Sequence, residues 1–589
     1  MPDIATPNTD KLAENLNKIN ALTQRMVAAL SEQEGHNVHL DAPDLQFYRR
    51  AAAAYFAEMI SNPARIMEAQ IHYWTESLRN WADMQDSIAT GDYTPEDPPI
   101  RDRRFKNQKW ESNPYFSMIR RQYQLASETI SSITENMTHL PQKEREKVDF
   151  FAKQMIDMFA PTNFLATNPD ALDRALETDG QSLVDGLENL VRDLEKNKKG
   201  LAVTLAQPDA FTVGEDIAAT KGAVVYENRM FQLIQYSPTT PKVYAKPLLI
   251  CPPWINKYYI LDLRPENSLV KYAVDQGHTV FMISWVNPDA SYADCGMDTY
   301  LQEGWLTALD TVLKITGQDS ANCVGFCIGG TLLTCGLAYL TATGQDHKVN
   351  KATFFTTMTD FAEPGELGAF LEPGFLVGIK KEVAEHGYLD KYFMSKSFSY
   401  LRANDLVYGP SVRSYMMGEA PPVFDLLQWN SDSTNLPARM AVEYLEKLYV
   451  ENQLVNGEFE LLGENLRLVA IKVPIFAVST IQDHIAPWKS TFKGLAKVRG
   501  ESTFVLSESG HIAGIVNPAA KDKYGHWHNP DSPHDPDFWL ENASFEKKSW
   551  WRRWALWLKD DQKRNVPARQ LGSEDYPEIE PAPGRYVRL

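Results

Sequence analysis

The chain has 589 residues, 43% of them hydrophobic and 23% charged, which is ordinary for a globular protein and excludes wholesale disorder, a collagen-like fibre or a membrane-embedded bundle. Its 59 Lys and Arg against 77 Asp and Glu leave a formal charge of −18 at pH 7, a field that repels polyanions and argues against nucleic acid as a partner. The 5 cysteines are odd in number and include no C-x-x-C pair, which fits free thiols in a reducing compartment. The start Met1-Pro2-Asp3-Ile4 has no basic stretch leading into an apolar one, and no apolar run reaches the roughly 18 residues a membrane span needs. A cytoplasmic protein is expected.

In chain order, residues from about Asp41 to Ser87 place Leu45, Tyr48, Ala52, Tyr55, Phe56, Met59 and Ile60 at helical spacing. The Pro- and acid-rich stretch Thr94 to Pro99 breaks the pattern, because proline lacks a donor and disfavours helix before it. Further helices are predicted from Tyr115 to Phe159 and from Gln181 to Asn197. After about Val213 short β-branched and aromatic runs alternate with helix-length amphipathic segments, the pattern of βαβ units on a mostly parallel sheet. The runs are Met230 to Tyr236, Lys246 to Ile250, Thr279 to Ser284, Ala321 to Gly325, Lys351 to Thr356, Val473 to Val478 and Ser502 to Leu506, with helices such as Thr299 to Ile315 and Thr331 to Leu340 between them. The tail Pro577 to Pro583 reads as extended. The expected organisation is a helical N-terminal domain over 1–205 and an α/β domain over 206–589, with a helical insertion at about 361–468 that could cover a site.

The strongest local signal is Gly325-Phe326-Cys327-Ile328-Gly329, where a predicted strand runs straight into a predicted helix. This is a nucleophile elbow with Cys in place of Ser: the turn is so tight that its flanks must be small, and it lifts the nucleophile clear of the sheet. Standing at a helix N-terminus, the thiol of Cys327 also meets unpaired N–H groups and a dipole that favour thiolate. In this fold the order nucleophile, acid, His is expected, each following a later strand. Asp483 follows the strand ending at Val478, and His511 follows the strand ending at Leu506, with Gly510 expected to provide a tight turn before it. The oxyanion of an acyl-transfer intermediate needs donors; the N–H of Ile328 is one candidate, and that of Ile255, in the loop Pro252-Pro253-Trp254-Ile255-Asn256, is the other. A thiol that takes an acyl group from a thioester keeps it activated for onward transfer to an alcohol. Cys327 therefore favours an acyltransferase using thioesters, most plausibly of coenzyme A, over a plain esterase.

With these residues in hand, the chain resembles the polyhydroxyalkanoate synthases, specifically the class I type that works as one kind of subunit. The resemblance runs from about Asp102 onward, through Asp102-Arg103-Arg104-Phe105, Asn163 to Pro169, Pro252-Pro253 with Ile255 to Ile260, Gly325 to Gly330, Trp429-Asn430 with Thr434-Asn435, Gly510-His511-Ile512-Ala513-Gly514 and Pro581-Ala582-Pro583-Gly584. It implies an α/β-hydrolase core with a cap formed by the 361–468 insertion, and repeated transfer of (R)-3-hydroxyacyl units from coenzyme A onto a growing polyester. It implies that Cys327 carries the chain, that His511 activates it, and that Asp483 orients His511 or helps activate the 3-hydroxyl of the incoming unit. A homodimer at the surface of a polyester granule is implied as well, with no cofactor beyond the coenzyme A that leaves. At Ala403 the family commonly has proline.

Competing readings are a thioesterase or lactonase with a cysteine nucleophile on the same fold, and a non-enzymatic granule protein with a vestigial site. Cys251, Cys295, Cys323 and Cys335 read as packing thiols, His484 as structural, and the tryptophans Trp550, Trp551, Trp554 and Trp557 as core. His526, His528 and His534 make a weak metal motif, and no metal is expected. Arg402 and Lys257 are candidates for meeting the coenzyme A phosphates.

Overall fold

In the computed structural model the described residues are 9–32, 63–90, 102–135, 137, 140–371, 373–531, 535–560 and 565–589. The residues of the first predicted helical stretch from Leu45 to Ile60, and His534, lie outside them. The chain divides into two compact units, one of Met1–Gln207 with Lys396–Val423, the other of Pro208–Ser395 with Phe424–Leu589. Residues 396–423 fall inside the stretch expected to form the cap, yet they group with the N-terminal residues.

The first unit is helical. Its helices are α1 (Thr9–Ser31), α2 (Pro63–Thr90), α3 (Pro114–Glu135), α4 (Gln142–Met158), α5 (Pro169–Glu177) and α6 (Gln181–Lys196). Leu22 of α1 packs on Val184 and Val191 of α6, and the edge of that contact carries the ion pairs Lys18–Glu188 at 2.8 Å and Arg25–Glu195 at 2.6 Å. Asn168 caps α5, its side chain accepting from the Ala171 N–H. Asn189 of α6 donates to the Ser414 carbonyl at 3.1 Å, and Gln154 of α4 to that of Tyr400 at 3.0 Å, which is how residues 396–423 are held in this unit.

The second unit is built on an eleven-stranded sheet: β1 (Gly222–Glu227), β2 (Phe231–Tyr236), β3 (Leu248–Cys251), β4 (Val280–Trp285), β5 (Ala321–Phe326), β6 (Val349–Phe355), β7 (Ile475–Thr480), β8 (Ser502–Ser507), β9 (His526–His528), β10 (Ser544–Glu546) and β11 (Glu580–Pro581). Their order across the sheet is β10-β9-β8-β7-β6-β5-β3-β4-β2-β1-β11. The six central strands from β8 to β4 run parallel, and both margins are antiparallel. β2 to β6 are buried along nearly all their length, as expected of strands covered on both faces. All seven predicted strands are present with ends shifted by a few residues. The margins β1, β9, β10 and β11 were not among them, and the predicted extended tail enters the sheet as β11.

Among the helices of this unit are α7 (Thr307–Thr316), α8 (Ile328–Ala342) directly after β5, α9 (Trp488–Leu495) after β7, and α10 (Trp551–Lys559). α8 is buried along almost its entire length. Of the four tryptophans predicted to be core, Trp550 just before α10 and Trp551 and Trp554 on it are buried, while Trp557 is half-buried against the same core; Trp550 and Trp554 lie 5.0 and 5.9 Å from the Phe355 ring of β6. The indole N–H groups of the three buried ones are spent. Trp550 donates to the Gly514 carbonyl and Trp551 to that of Ile515, both at 2.9 Å, and Trp554 donates to Thr353 Oγ1 at 3.0 Å. The first two bonds anchor the loop after β8, the loop that carries His511.

Candidate active site

Between β5 and α8 the backbone bends so sharply that Cys327 takes φ 54 and ψ −124, a conformation few L residues adopt outside functional turns. The predicted smallness of its flanks has a direct cause. A Cβ on Gly325 would lie 2.4 Å from the Gly330 Cα, and one on Gly329 would lie 2.4 Å from the Cys251 carbonyl oxygen. The turn is held on three sides. The Cys327 N–H donates to the Phe355 carbonyl of β6 at 2.9 Å, and the Cys327 carbonyl accepts from the N–H groups of Gly330 and Thr331.

Cys327 is half-buried, whereas Cys251, Cys295, Cys323 and Cys335 are buried, and burial pushes those four thiols up. Reactivity therefore concentrates on the elbow sulfur.

Asp483 and His511 come from the loops after β7 and β8, adjacent parallel strands whose carboxyl ends lie side by side. His511 Nδ1 is 2.7 Å from Asp483 Oδ2. The imidazole is only 5% exposed and stacks on Phe326, the residue before the nucleophile, with ring centroids 5.7 Å apart. Burial alone would lower its pKa. The Asp483 carboxylate and the Cys327 sulfur, which acts as both charge and hydrogen-bond acceptor, outweigh burial and carry it up to about 10. The three predicted side chains are thus brought together.

All the hydrogen-bonding capacity of the carboxylate is committed. Asp483 Oδ1 accepts from the N–H groups of Ile485 at 2.9 Å and Ala486 at 2.8 Å, while Oδ2 takes His511 and, at 3.3 Å, the Thr480 hydroxyl. One expectation about this region is corrected: the left-handed residue before the histidine is Ser509, φ 77, not Gly510. The Ser509 carbonyl accepts from the Gln482 N–H at 3.0 Å, which ties the His511 loop to the Asp483 loop.

The loop after β3 runs against the start of α8, since Gly329 abuts the carbonyls of both Cys251 and Pro252. Trp285 Nε1 donates to the Pro252 carbonyl at 3.0 Å, the Thr434 N–H to that of Ile255 at 3.0 Å, and the Thr434 hydroxyl to that of Trp254. These bonds use the loop's carbonyls and leave the Ile255 and Ile328 N–H groups without a backbone acceptor among the described residues.

Lys257 does not face solvent. Its side chain is 3% exposed and its ammonium donates to the carbonyl oxygens of Val587, at 3.2 Å, and of Leu589, so it is committed to the fold rather than available to a phosphate. His526 and His528 lie on β9, where His526 Nδ1 meets the Lys548 carbonyl at 2.8 Å.

Two residues escaped the sequence reading. Tyr444 and Tyr449 are buried, their hydroxyls 3.3 Å apart, and both feel the charge of Cys327. They are five residues apart on a π-helical turn, a spacing that neither a 3.6-residue nor a 2-residue period reveals.

Residues 101–273 match the family model described as the poly-beta-hydroxybutyrate polymerase (PhaC) N-terminus, and residues 246–518 match that of the alpha/beta hydrolase fold. The chain is 38% identical over 596 residues to the poly(3-hydroxyalkanoate) polymerase of Methylorubrum extorquens, covering 99% of this chain and 98% of that one. It is 40% identical to the poly(3-hydroxyalkanoate) polymerase subunit PhaC of Cupriavidus necator, over 89% of each. Among solved structures, a Paleococcus ferrophilus monoacylglycerol lipase aligns at 12% identity and a TM-score of 0.30, covering 56% of this chain and 98% of that one. Over nearly its whole length, the chain belongs to the family of poly(3-hydroxyalkanoate) polymerases, acyltransferases built on an α/β-hydrolase core.

Proposed function

We propose that this enzyme is a class I synthase that polymerises (R)-3-hydroxyacyl-CoA, with 3-hydroxybutyryl-CoA as the expected substrate, through a thioester on Cys327. The observation that carries the reading is the Cys327, His511, Asp483 array at the carboxyl edge of the parallel strands, with sulfur as the nucleophile.

In the first step the Cys327 thiolate, with His511 as its imidazolium partner, attacks the substrate thioester carbonyl. The tetrahedral oxyanion is met by the Ile328 N–H at the start of α8 and the Ile255 N–H. The C–S bond to coenzyme A breaks, His511 gives its proton to the departing thiolate, and a thioester remains on Cys327. In the second step the neutral imidazole of His511 takes the proton of a 3-hydroxyl as that oxygen attacks the thioester. The sulfur leaves as thiolate, and the chain grows by one ester bond.

The saturation of Asp483 supports one of its two possible roles. A carboxylate with both oxygens committed has no acceptor left for a substrate hydroxyl, so Asp483 orients His511 and stabilises its charged form. The working assembly in this reading is a homodimer at the surface of a cytoplasmic polyester granule, with no cofactor beyond the coenzyme A released.

Incubation with 3-hydroxybutyryl-CoA tests the reading. Thiol release with insoluble polyester, both lost in Cys327→Ala, is the expected result. Thiol release with free acid alone would make the protein a hydrolase, and undiminished release by Cys327→Ala would remove the nucleophile.

A further inference from the structure

The π-helical turn of Tyr444–Val450 is a backbone form that persists only where its surroundings impose it. Here it has a definite fastening. Two residues beyond the turn stands Asn452, whose φ of 50 and ψ of 36 lie in the left-handed region that Asn tolerates better than most residues. The Asn452 N–H donates to the Leu448 carbonyl at 3.0 Å. Both ends of its side chain are used: Oδ1 accepts from the Phe361 N–H, and Nδ2 donates to Asp360 Oδ1, each at 2.9 Å. Asp360 Oδ1 also accepts from the Ala362 N–H at 3.0 Å, so the carboxylate is fixed before it holds the amide.

Asp360 and Phe361 lie on the chain leaving β6, the strand whose Phe355 carbonyl receives the Cys327 N–H. The Phe361 ring then meets that of Tyr449 at 4.8 Å and 60°. One connected path therefore runs from the elbow along β6 to Asp360 and Phe361, across to Asn452, and into the turn whose two phenols pair at 3.3 Å. Burial, first, and the charge of Cys327 push both hydroxyls up and keep them protonated, although the hydrogen bond with Tyr444 works the other way on Tyr449.

We infer that Asn452 is a positioning residue for the thiol site: by gripping Asp360 and the Phe361 N–H it fixes the π turn, with its Tyr444–Tyr449 hydroxyl pair, against the chain leaving β6, the strand that holds the Cys327 N–H. This inference rests on Cys327 being the nucleophile.

The test uses Asn452→Gly, which keeps the left-handed backbone but removes both side-chain bonds, and the exchange Asp360→Asn with Asn452→Asp, which preserves charge and lets the bond run the other way. Coenzyme A release gives kcat and KM; the iodoacetamide alkylation rate of Cys327 at pH 7 reports the sulfur directly. Asn452→Gly is expected to lose roughly 10- to 100-fold in kcat, the scale of an ångström-level misplacement, with KM within about twofold and a several-fold change in alkylation. The exchanged pair should recover kcat to within about threefold of the parent. A folded Asn452→Gly enzyme with parental kcat and alkylation rate would overturn the inference, and so would a folded exchange variant without recovered kcat. Should Asn452→Gly fail to fold, the single Asn452→Asp, which sets a second carboxylate against Asp360, takes its place: it is expected to lose kcat by the same factor, and a parental kcat in it would overturn the inference. If the parent releases no coenzyme A, the proposed function falls, and the alkylation rates still decide the role of Asn452.

Discussion

Asp483 Oδ2 lies 2.7 Å from His511 Nδ1, and the opposite oxygen of the same carboxylate is pinned by two consecutive backbone N–H groups. The acid is a fixed post on which the imidazole turns. Replacing it with Asn keeps the shape but offers His511 a donor where it needs an acceptor. Asp483→Asn should lower kcat for coenzyme A release by on the order of 10²- to 10⁴-fold with a much smaller change in KM. Comparison of steady-state kinetics for the two enzymes checks this, and a loss confined to KM would contradict it.

His511 is held protonated beyond its ordinary range, up to about 10, so a positive charge faces the Cys327 sulfur at neutral pH. His511→Gln removes that charge while keeping a polar side chain of similar reach. The iodoacetamide alkylation rate of Cys327 at pH 7 should fall by roughly tenfold or more, because thiolate is the reacting form. The four buried cysteines should stay unmodified in the native protein, which peptide mapping after alkylation would show.

Gly330 touches the far side of the elbow. A Cβ there would lie 1.9 Å from Thr357 Oγ1, an impossible contact without a shift. Gly330→Ala should cost about 1–3 kcal/mol in stability, and adding Thr357→Ala, which removes the Oγ1 and Cγ2 contacts but leaves the Thr357 Cβ at 2.8 Å, should recover only part of the loss. Denaturant midpoints of the single and double variants are the measurement.

Asp262 is fully buried, and burial pushes its carboxyl up to about 6 despite hydrogen bonds from Ser268 and Thr220. A carboxyl whose pKa is raised by folding favours the native state while it is protonated. Its contribution is complete below the unfolded value near 3.8 and is lost as pH rises through about 6. Asp262→Asn, which stays neutral and keeps an acceptor, should flatten the fall in unfolding free energy between about pH 4 and 6 that the parent shows. Chemical denaturation at a series of pH values measures the slope.

The triad was legible because three local patterns arrive in the one order the fold allows, and the parallel strands that present them are runs of apolar and β-branched residues. The margins were not: β9 and β10 have only three residues each, and β11 only two, too short for any period to register. Turn chemistry misled at Gly510, since the bend falls on Ser509. Lys257 reads in the sequence as a candidate for a coenzyme A phosphate, and only tertiary structure shows it pointing inward to main-chain oxygens. The tyrosines of the π turn were invisible for a third reason: their five-residue spacing belongs to no period that sequence patterns advertise.

The sheet closes in an unusual temporal order. Ala223 and Val224 of β1, among the first residues of the sheet to be translated, pair with Pro581 and Glu580 of β11, among the last. Until residues 580 and 581 have been made, one flank of the nascent sheet offers bare amide and carbonyl groups to whatever extended chain is nearby. A chain cut short before residue 580 would therefore keep that edge of β1 unpaired, a sticky template for a strand from another molecule.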